Sequence, residues 1–292
     1  MRADIPRDIG PLLLESPVKL RLGATLLDLS QPRIMGVLNR TPDSFSDGGR
    51  FTGLDAALSQ VERMVNEGAD ILDVGGESTR PGAADVSLQE ELDRVLPLIE
   101  GIRTRFASPV SIDTSKPGVM QAAVSAGAAM INDVYALRRP QAREIAVTSG
   151  AALCLMHMQG EPCTMQKEPR YDDVTEEVKE FLQDRAQAAL AAGVPRDRIV
   201  LDPGFGFGKN LEHNLTLLRR LPELAALGYP LLVGLSRKSM IGTLLGGKPA
   251  EERVQGSVAA AVIAVQNGAS IVRVHDVAST AEALKIAVAA RR

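Results

Sequence analysis

The side chains best suited to chemistry fall in four short stretches. GGESTRPG at residues 75–82 offers a carboxylate, two hydroxyls and the Arg80 guanidinium, whose fork suits bidentate binding of an anion. GLSRKS at 234–239 sets Lys238 and Ser239 before a helix start reading MIGTLLG, where free N–H groups favour an anion. RVHDV at 273–277 puts Arg273 two residues before His275, so both side chains leave an extended strand on one side and make a good pair for pyrophosphate. DPGFGFGK at 202–209 lets backbone approach a flat ligand closely. It is not a phosphate-cradling Walker loop, because Pro203 replaces the first glycine and Asn210 follows Lys209 where Ser or Thr belongs. Nor is Ser236 a hydrolase nucleophile, since Lys238 replaces the last glycine of the elbow pattern. Of the three histidines, His213 reads as a surface residue of a helix and His157 as a packed loop residue. No His, Asp and Glu cluster has transition-metal spacing, whereas magnesium held mainly through substrate phosphates needs few protein ligands.

These residues gain meaning from the elements that must position them. From residue 33 onward, short apolar runs alternate with helical patterns. The runs are Arg33–Leu38, Asp70–Val74, Val110–Asp113, Met130–Val134, Ala152–Met156, Arg198–Asp202, Leu231–Gly234 and Ser270–Val274. Most are continuously apolar, as strands covered on both faces are. Helical stretches end at Gly68, Gly127, Gly150, Gly193, Gly228 and Gly268, each able to close a helix in the left-handed conformation. Eight strands and eight helices at about 32 residues per unit predict an α/β fold, a (β/α)8 TIM barrel. An open doubly wound sheet would carry a glycine-rich dinucleotide turn after its first strand, and NRTPDSFSDGG stands there instead. Residues 1–32 form an N-terminal extension in which KLRLGATLLDLS reads as a β-hairpin over one barrel end, and residues 33–292 form a single barrel domain.

Barrel chemistry sits at the carboxyl ends of the strands. Those ends read Asn39; Asp73 with Glu77; Asp113; Asn132 with Asp133; His157; Asp202; Ser236 to Lys238; and Arg273 with His275. Helix capping accounts for any one of them, but does not call for Lys, Arg and His at the same level.

Composition narrows the classes. The 292 residues carry 33 Lys and Arg against 36 Asp and Glu, a net charge of −3, which argues against binding nucleic acid by neutralising phosphates. Aromatics at 3% and the absence of Trp leave little surface for stacking bases. An apolar content of 45% excludes a disordered chain. Two cysteines, Cys154 and Cys163, are too few for a disulfide framework. No run approaches the ~20 apolar residues of a membrane span, and Met1 to Gly10 lacks an apolar signal core, so a soluble cytoplasmic protein is expected.

In order along the chain, NRTPDSFSDGG, DILDVGGESTRPGA, SIDTSKPGV, INDV, LMHMQG, LDPGFGFGKN, GLSRKSMIG and RVHDV resemble the dihydropteroate synthase family over about residues 34 to 277. Arg40 departs from the pattern, because the family usually has Val there; it adds a positive charge to the first loop and spares Asn39 and the TPDSF core. The resemblance implies a transferase that joins 6-hydroxymethyl-7,8-dihydropterin diphosphate to p-aminobenzoate. The products are 7,8-dihydropteroate and pyrophosphate, on the folate pathway. It implies that Asp113, Asn132, Asp202 and Lys238 hold the pterin, and that Asn39 meets a diphosphate-bound Mg²⁺. It implies Thr79, Arg80, Arg273 and His275 at the diphosphate, and Phe45, Pro81, Phe207 and Ser239 around p-aminobenzoate. Asp113, Asp202, Lys238 and Arg273 make the catalytic set. Competitive inhibition by sulfonamides and a homodimer follow from the same resemblance.

The residue types agree with those roles. A pterin has a guanidine-like donor edge suited to carboxylates, and an amide such as Asn132 both donates and accepts. Departing pyrophosphate needs cations for its developing charge. A dissociative step, leaving a cation on the exocyclic methylene that Asp113 and Asp202 favour, asks for no strong base. Two rivals are a pterin-dependent methyltransferase and a catalytically silent pterin-binding barrel. The STRPG and SRKS stretches favour the synthase, because methyl transfer releases no pyrophosphate. Independently of these motifs, SVAAAVIAV at 257–265 is apolar nearly all round a helix, which points to a second buried face and a symmetric dimer.

Overall fold

The computed structural model describes residues 19–39, 50–77, 85–161 and 164–290, with backbone alone at 50–52. A hairpin opens it. β1 (Lys19–Leu22) and β2 (Thr25–Asp28) pair antiparallel with Leu22 opposite Thr25. That register leaves a two-residue turn in which Gly23 takes a φ of +58°. Leu20 and Leu22 alternate onto one face and are buried with Leu29 against Met35, Ile71, Met130, Ala152 and Ile271. Several of these open their strands, so the hairpin covers the amino end of the barrel and the opposite mouth stays free for chemistry.

Eight parallel strands follow: β3 (Arg33–Asn39), β4 (Ile71–Gly75), β5 (Val110–Asp113), β6 (Met130–Asp133), β7 (Ala152–Met156), β8 (Ile199–Asp202), β9 (Leu232–Val233) and β10 (Ile271–Val274). Their order is β8-β7-β6-β5-β4-β3-β10-β9. A parallel bridge from Leu201 to Leu231, with the Leu201 N–H donating to Pro230 O at 3.0 Å, joins β8 to β9 and closes the TIM barrel. The expected strand runs thus lie within a residue or so of the observed ones.

The helices are α1 (Arg50–Glu67), α2 (Leu88–Arg105), α3 (Pro117–Ser125), α4 (Ala142–Ser149), α5 (Val174–Ala191), α6 (Leu211–Arg219), α7 (Leu221–Ala225), α8 (Ser239–Leu244), α9 (Val254–Gln266) and α10 (Val277–Ala289). The six glycines read as helix closures all have positive φ. At Gly268 the need is also steric, because a Cβ would lie 2.9 Å from Ala225 Cβ. The helical pattern that closes at Gly228 predicts one helix over Leu211 to Leu227, and the structure has two. Pro222 sits in the first turn of α7, where its missing N–H is harmless, and the chain bends at Arg220. A capping box between Ser87 and Glu90 starts α2, directly after the second strand's loop.

Candidate active site

The carboxyl ends of β4, β5, β6, β8 and β10 build a cup of charged side chains. Neighbouring strands pair Gly75 with Asp113 and Asp113 with Asn132, which sets successive polar residues side by side. Arg273 donates through Nε to Asp73 Oδ2 at 2.6 Å and through Nη2 to Asp113 Oδ2 at 2.8 Å. Asn132 Nδ2 donates to the same Asp73 oxygen at 3.3 Å. Asp73, Asn132 and Asp202 are all buried. Three carboxylates thus share two cations, Arg273 and Lys238.

Burial sets the electrostatics. It pushes the Asp113 carboxyl up to about 7, with Asp73, Glu91 and Asp133 adding to the rise and Arg273 opposing it. Burial likewise raises Asp202, against the pull of Lys238 and the Gly204 N–H. Lys238 is brought down to about 8 by burial, with Asp202 resisting. Partial burial disfavours the Arg273 charge as well, yet Asp73 and Asp113 hold its guanidinium above the ordinary value.

The loop after β8 is fastened to the cup. Asp202 Oδ1 accepts from Gly204 N at 2.7 Å. Gly204 has a φ of +67°, and a Cβ there would stand 1.8 Å from His157 O, so only glycine lets this loop lie on the loop after β7. Lys209, 3% exposed, donates to Gly204 O at 2.9 Å and Phe207 O at 3.1 Å and meets His157 Nδ1 at 2.9 Å. Burial and Lys209 depress the His157 ring to about 2, so it is neutral and Nδ1 accepts. Phe207 packs with Met156, Met158 and Met165. Lys238 Nζ lies 4.7 Å from its ring centroid and donates to Phe205 O.

The turn presenting Lys238 is held from three sides. Arg237 has a φ of +60°, and its N–H donates to Ser257 Oγ at 2.9 Å. Its carbonyl accepts from Arg253 Nη1 at 2.9 Å, and its guanidinium pairs with Asp276 at 2.6 and 3.0 Å. Ser236 Oγ meets His275 Nδ1 at 3.0 Å. Across the mouth, Lys116 Nζ pairs with Glu77 at 2.6 Å and Glu91 at 2.7 Å. Glu77 also accepts from Val86 N at 3.0 Å, which ties together the two ends of the segment between residues 77 and 86.

Of the site residues expected from sequence, Asp113, Asn132, Asp202, Lys238, Arg273 and His275 gather at this mouth, with Phe207 beside Lys238. Ser239 is exposed at the start of α8, and Asn39 is exposed at the end of β3. Phe45, Thr79, Arg80 and Pro81, with Arg40, lie outside the described residues. Arg273 sits in the cup between two carboxylates, because its side chain turns inward from β10. His213 is half-buried, not a surface residue, because it closes a capping box at α6 and packs edge-on against Tyr171. His157 is packed as expected.

Sequence reasoning assigned no role to Asp73, Lys116, Lys209 or Arg237. A charge inside the apolar run DILDV was the available signal for Asp73. A recess of ≈ 240 Å³ between α1 and the start of α10 touches His275 but none of the cup residues.

A magnesium ion is tested by the donors present. Among the described residues no three His, Cys, Asp or Glu side chains form a metal cluster. A Cβ on Gly75 would lie 3.4 Å from Asn39 Oδ1 and 3.8 Å from Asp113 Oδ2, so the bare glycine keeps open a space flanked by hard oxygen donors. This fits an ion carried by a diphosphate, not a dedicated protein cage. Among the described residues no helix is long and apolar enough to cross a membrane.

Residues 35–275 match the family described as pterin binding enzyme. The dihydropteroate synthase of Haemophilus influenzae is 54% identical over 269 residues, 92% of this chain and 98% of that protein. The Yersinia pestis dihydropteroate synthase, solved in complex with a sulfonamide drug, has a TM-score of 0.89 and 53% identity over 94% of this chain and 99% of that one. The Burkholderia cenocepacia enzyme, complexed with 7,8-dihydropteroate, has a TM-score of 0.86 and 50% identity over 94% of this chain and 97% of that one. A closed barrel whose mouth gathers these carboxylates and cations, matched over nearly its whole length, places the chain in the pterin binding enzyme family, among the dihydropteroate synthases.

Proposed function

We propose that this chain condenses 6-hydroxymethyl-7,8-dihydropterin diphosphate with p-aminobenzoate, giving 7,8-dihydropteroate and pyrophosphate, as a cytoplasmic transferase of folate biosynthesis. The observation that carries the reading is the shared cup of Asp113, Asn132, Asp202, Lys238 and Arg273. The product-bound Burkholderia relative, similar over nearly all of both chains, supports it.

Asp113 and Asp202 accept from the donor edge of the pterin, Asn132 fixes its orientation, and Lys238 donates to a ring acceptor. The C–O bond from the exocyclic methylene to the diphosphate breaks first, and both electrons leave with pyrophosphate. The resulting cation, delocalised into the pterin, is favoured by the ionised Asp113 and Asp202. Arg273 and His275, with Thr79 and Arg80, hold the departing anion. The p-aminobenzoate amine, in a pocket of Phe207, Ser239, Phe45 and Pro81, then attacks the methylene carbon to form the C–N bond, and its extra proton passes to solvent or to the departing pyrophosphate. Asn39 would hold a diphosphate-bound Mg²⁺, which when present supplies charge neutralisation for the leaving group. The protein's own contribution is a pre-set field that needs no reorganisation at the moment of bond breaking.

Synthase and methyltransferase chemistry separate in one experiment. Incubation with pterin diphosphate and p-aminobenzoate yields dihydropteroate and an equal amount of pyrophosphate, whereas a methylated pterin donor yields no transfer. The opposite pattern defeats the reading. A homodimer is the second part of the proposal, supported by Ile263 on α9 and Ile286 on α10, which are 44% and 72% exposed. Light scattering at micromolar concentration gives the mass of two chains; a monomer disposes of the dimer and leaves the chemistry untouched.

A further inference from the structure

The reaction as derived gives no role to Asp73, a buried carboxylate of the cup. Asp73 is 0% exposed, and its Oδ2 accepts from both Arg273 Nε and Asn132 Nδ2. Its other oxygen, Oδ1, has no hydrogen-bond partner among the described residues. A buried acceptor without a donor opposes folding, so its persistence asks for a reason. Arg273 meanwhile is split between two acids, with Nε on Asp73 and Nη2 on Asp113 Oδ2 at 2.8 Å. A guanidinium meets a carboxylate best through two parallel N–H···O bonds, and Nε with Nη2 is the edge that makes them. Asp73 has the second oxygen for that pairing in place.

We propose that Asp73 is the positioning residue that receives the Nη2 arm of Arg273 when the pterin takes Asp113, and that it fixes the polarity of the Asn132 amide. The inference rests on the pterin reading above. The donor edge of the pterin and the Arg273 arm compete for Asp113. Each pterin N–H accepted by Asp113 loosens its hold on the arm, and a short swing about Nε completes the fork on Asp73 Oδ1. The cation then stays in the cup, turned away from the ring donors it would repel. Asn132 is governed by the same acid: Asp73 Oδ2 accepts from Arg273 Nε and from Asn132 Nδ2, so the Asn132 Oδ1 is left to accept from the ligand.

Asp73→Asn tests this with little change of shape. One oxygen remains for Arg273 Nε and Asn132 Nδ2, but the NH₂ group in place of Oδ1 cannot accept the arm, which stays on Asp113. The expected result is a KM for the pterin diphosphate raised about tenfold or more, the scale of one charge-assisted hydrogen bond, with the KM for p-aminobenzoate unchanged. An unchanged pterin KM, or both KM values moving together with a lowered melting temperature, overturns the inference. If the variant does not fold, the wild-type protein crystallised with pterin diphosphate decides the matter. Nη2 on Asp73 Oδ1 supports the inference, and Nη2 still on Asp113 overturns it. A wild type that turns over while the variant behaves identically defeats only this inference, whereas a wild type that binds no pterin defeats the underlying reading as well.

Discussion

Replacing Lys209 by Met isolates what holds the glycine-rich loop against the cup. Methionine keeps the apolar stem and removes Nζ, which serves two carbonyls and one imidazole nitrogen in a site 3% exposed. Phe207 O and His157 Nδ1 then lose their donor, at about 1–3 kcal/mol each, while Gly204 O keeps the Phe207 N–H at 3.1 Å. Against this, the variant no longer buries an ammonium, which burial disfavours enough to bring Lys209 well below 10.5. Taking the two acceptors near the lower bound and allowing that offset, the net loss is about 1–2 kcal/mol, a sizeable part of a typical folding stability of ~5–15 kcal/mol. The pH dependence has a definite sign. In the window below 10.5 and above the depressed folded value, the unfolded wild type binds a proton that the folded wild type does not. Wild-type stability therefore rises with pH there relative to the variant, and the deficit of the variant widens toward alkaline pH. Thermal unfolding followed by circular dichroism should show a midpoint lower by roughly 2–4 °C at neutral pH. Steady-state kinetics should show a raised KM for p-aminobenzoate, because Phe207 rides on the loop. A variant with the wild-type midpoint and KM would refute the reasoning.

Two further consequences concern the chemistry. Asp113→Asn removes the charge favouring the methylene cation and should lower kcat about 100- to 1000-fold while raising the pterin KM less, measured by pyrophosphate release; an unchanged kcat counts against the electrostatic role. The pH profile of kcat/KM for the pterin diphosphate should be bell-shaped. It rises through about 7 as Asp113 ionises and falls through about 8 as Lys238 loses its proton, and Asp113→Asn should flatten the acid limb alone.

The barrel was legible because its signals are local. Apolar runs, glycine closures and loop residues repeat along the chain, and a strand such as Arg33–Asn39 was misjudged by a single residue. The break between α6 and α7 was legible as well, since Pro222 marks it, but the helical periodicity on either side masked it. The depth of a side chain in the mouth was not legible. Arg273 and His275 share a strand direction, yet Arg273 lies within the ladder opposite Met35 and His275 beyond it, a distinction set by the register of the strands. Asp73 looked like one acid in an apolar strand, and only its meeting with Arg273, 200 positions away, gives it a task. Lys209 has no role in the sequence pattern once a Walker loop is excluded, and long-range packing on His157 makes it a brace.

The account depends on carboxylates gripping the pterin independently of the groups that take the diphosphate. Titration calorimetry of 6-hydroxymethylpterin, and separately of inorganic pyrophosphate, into the wild type and Asp202→Asn tests that directly. The variant keeps an oxygen for the Gly204 N–H but loses the charge. The account predicts pterin binding weakened about 10- to 100-fold with pyrophosphate affinity held or slightly improved, and equal pterin affinity in the two proteins would contradict it.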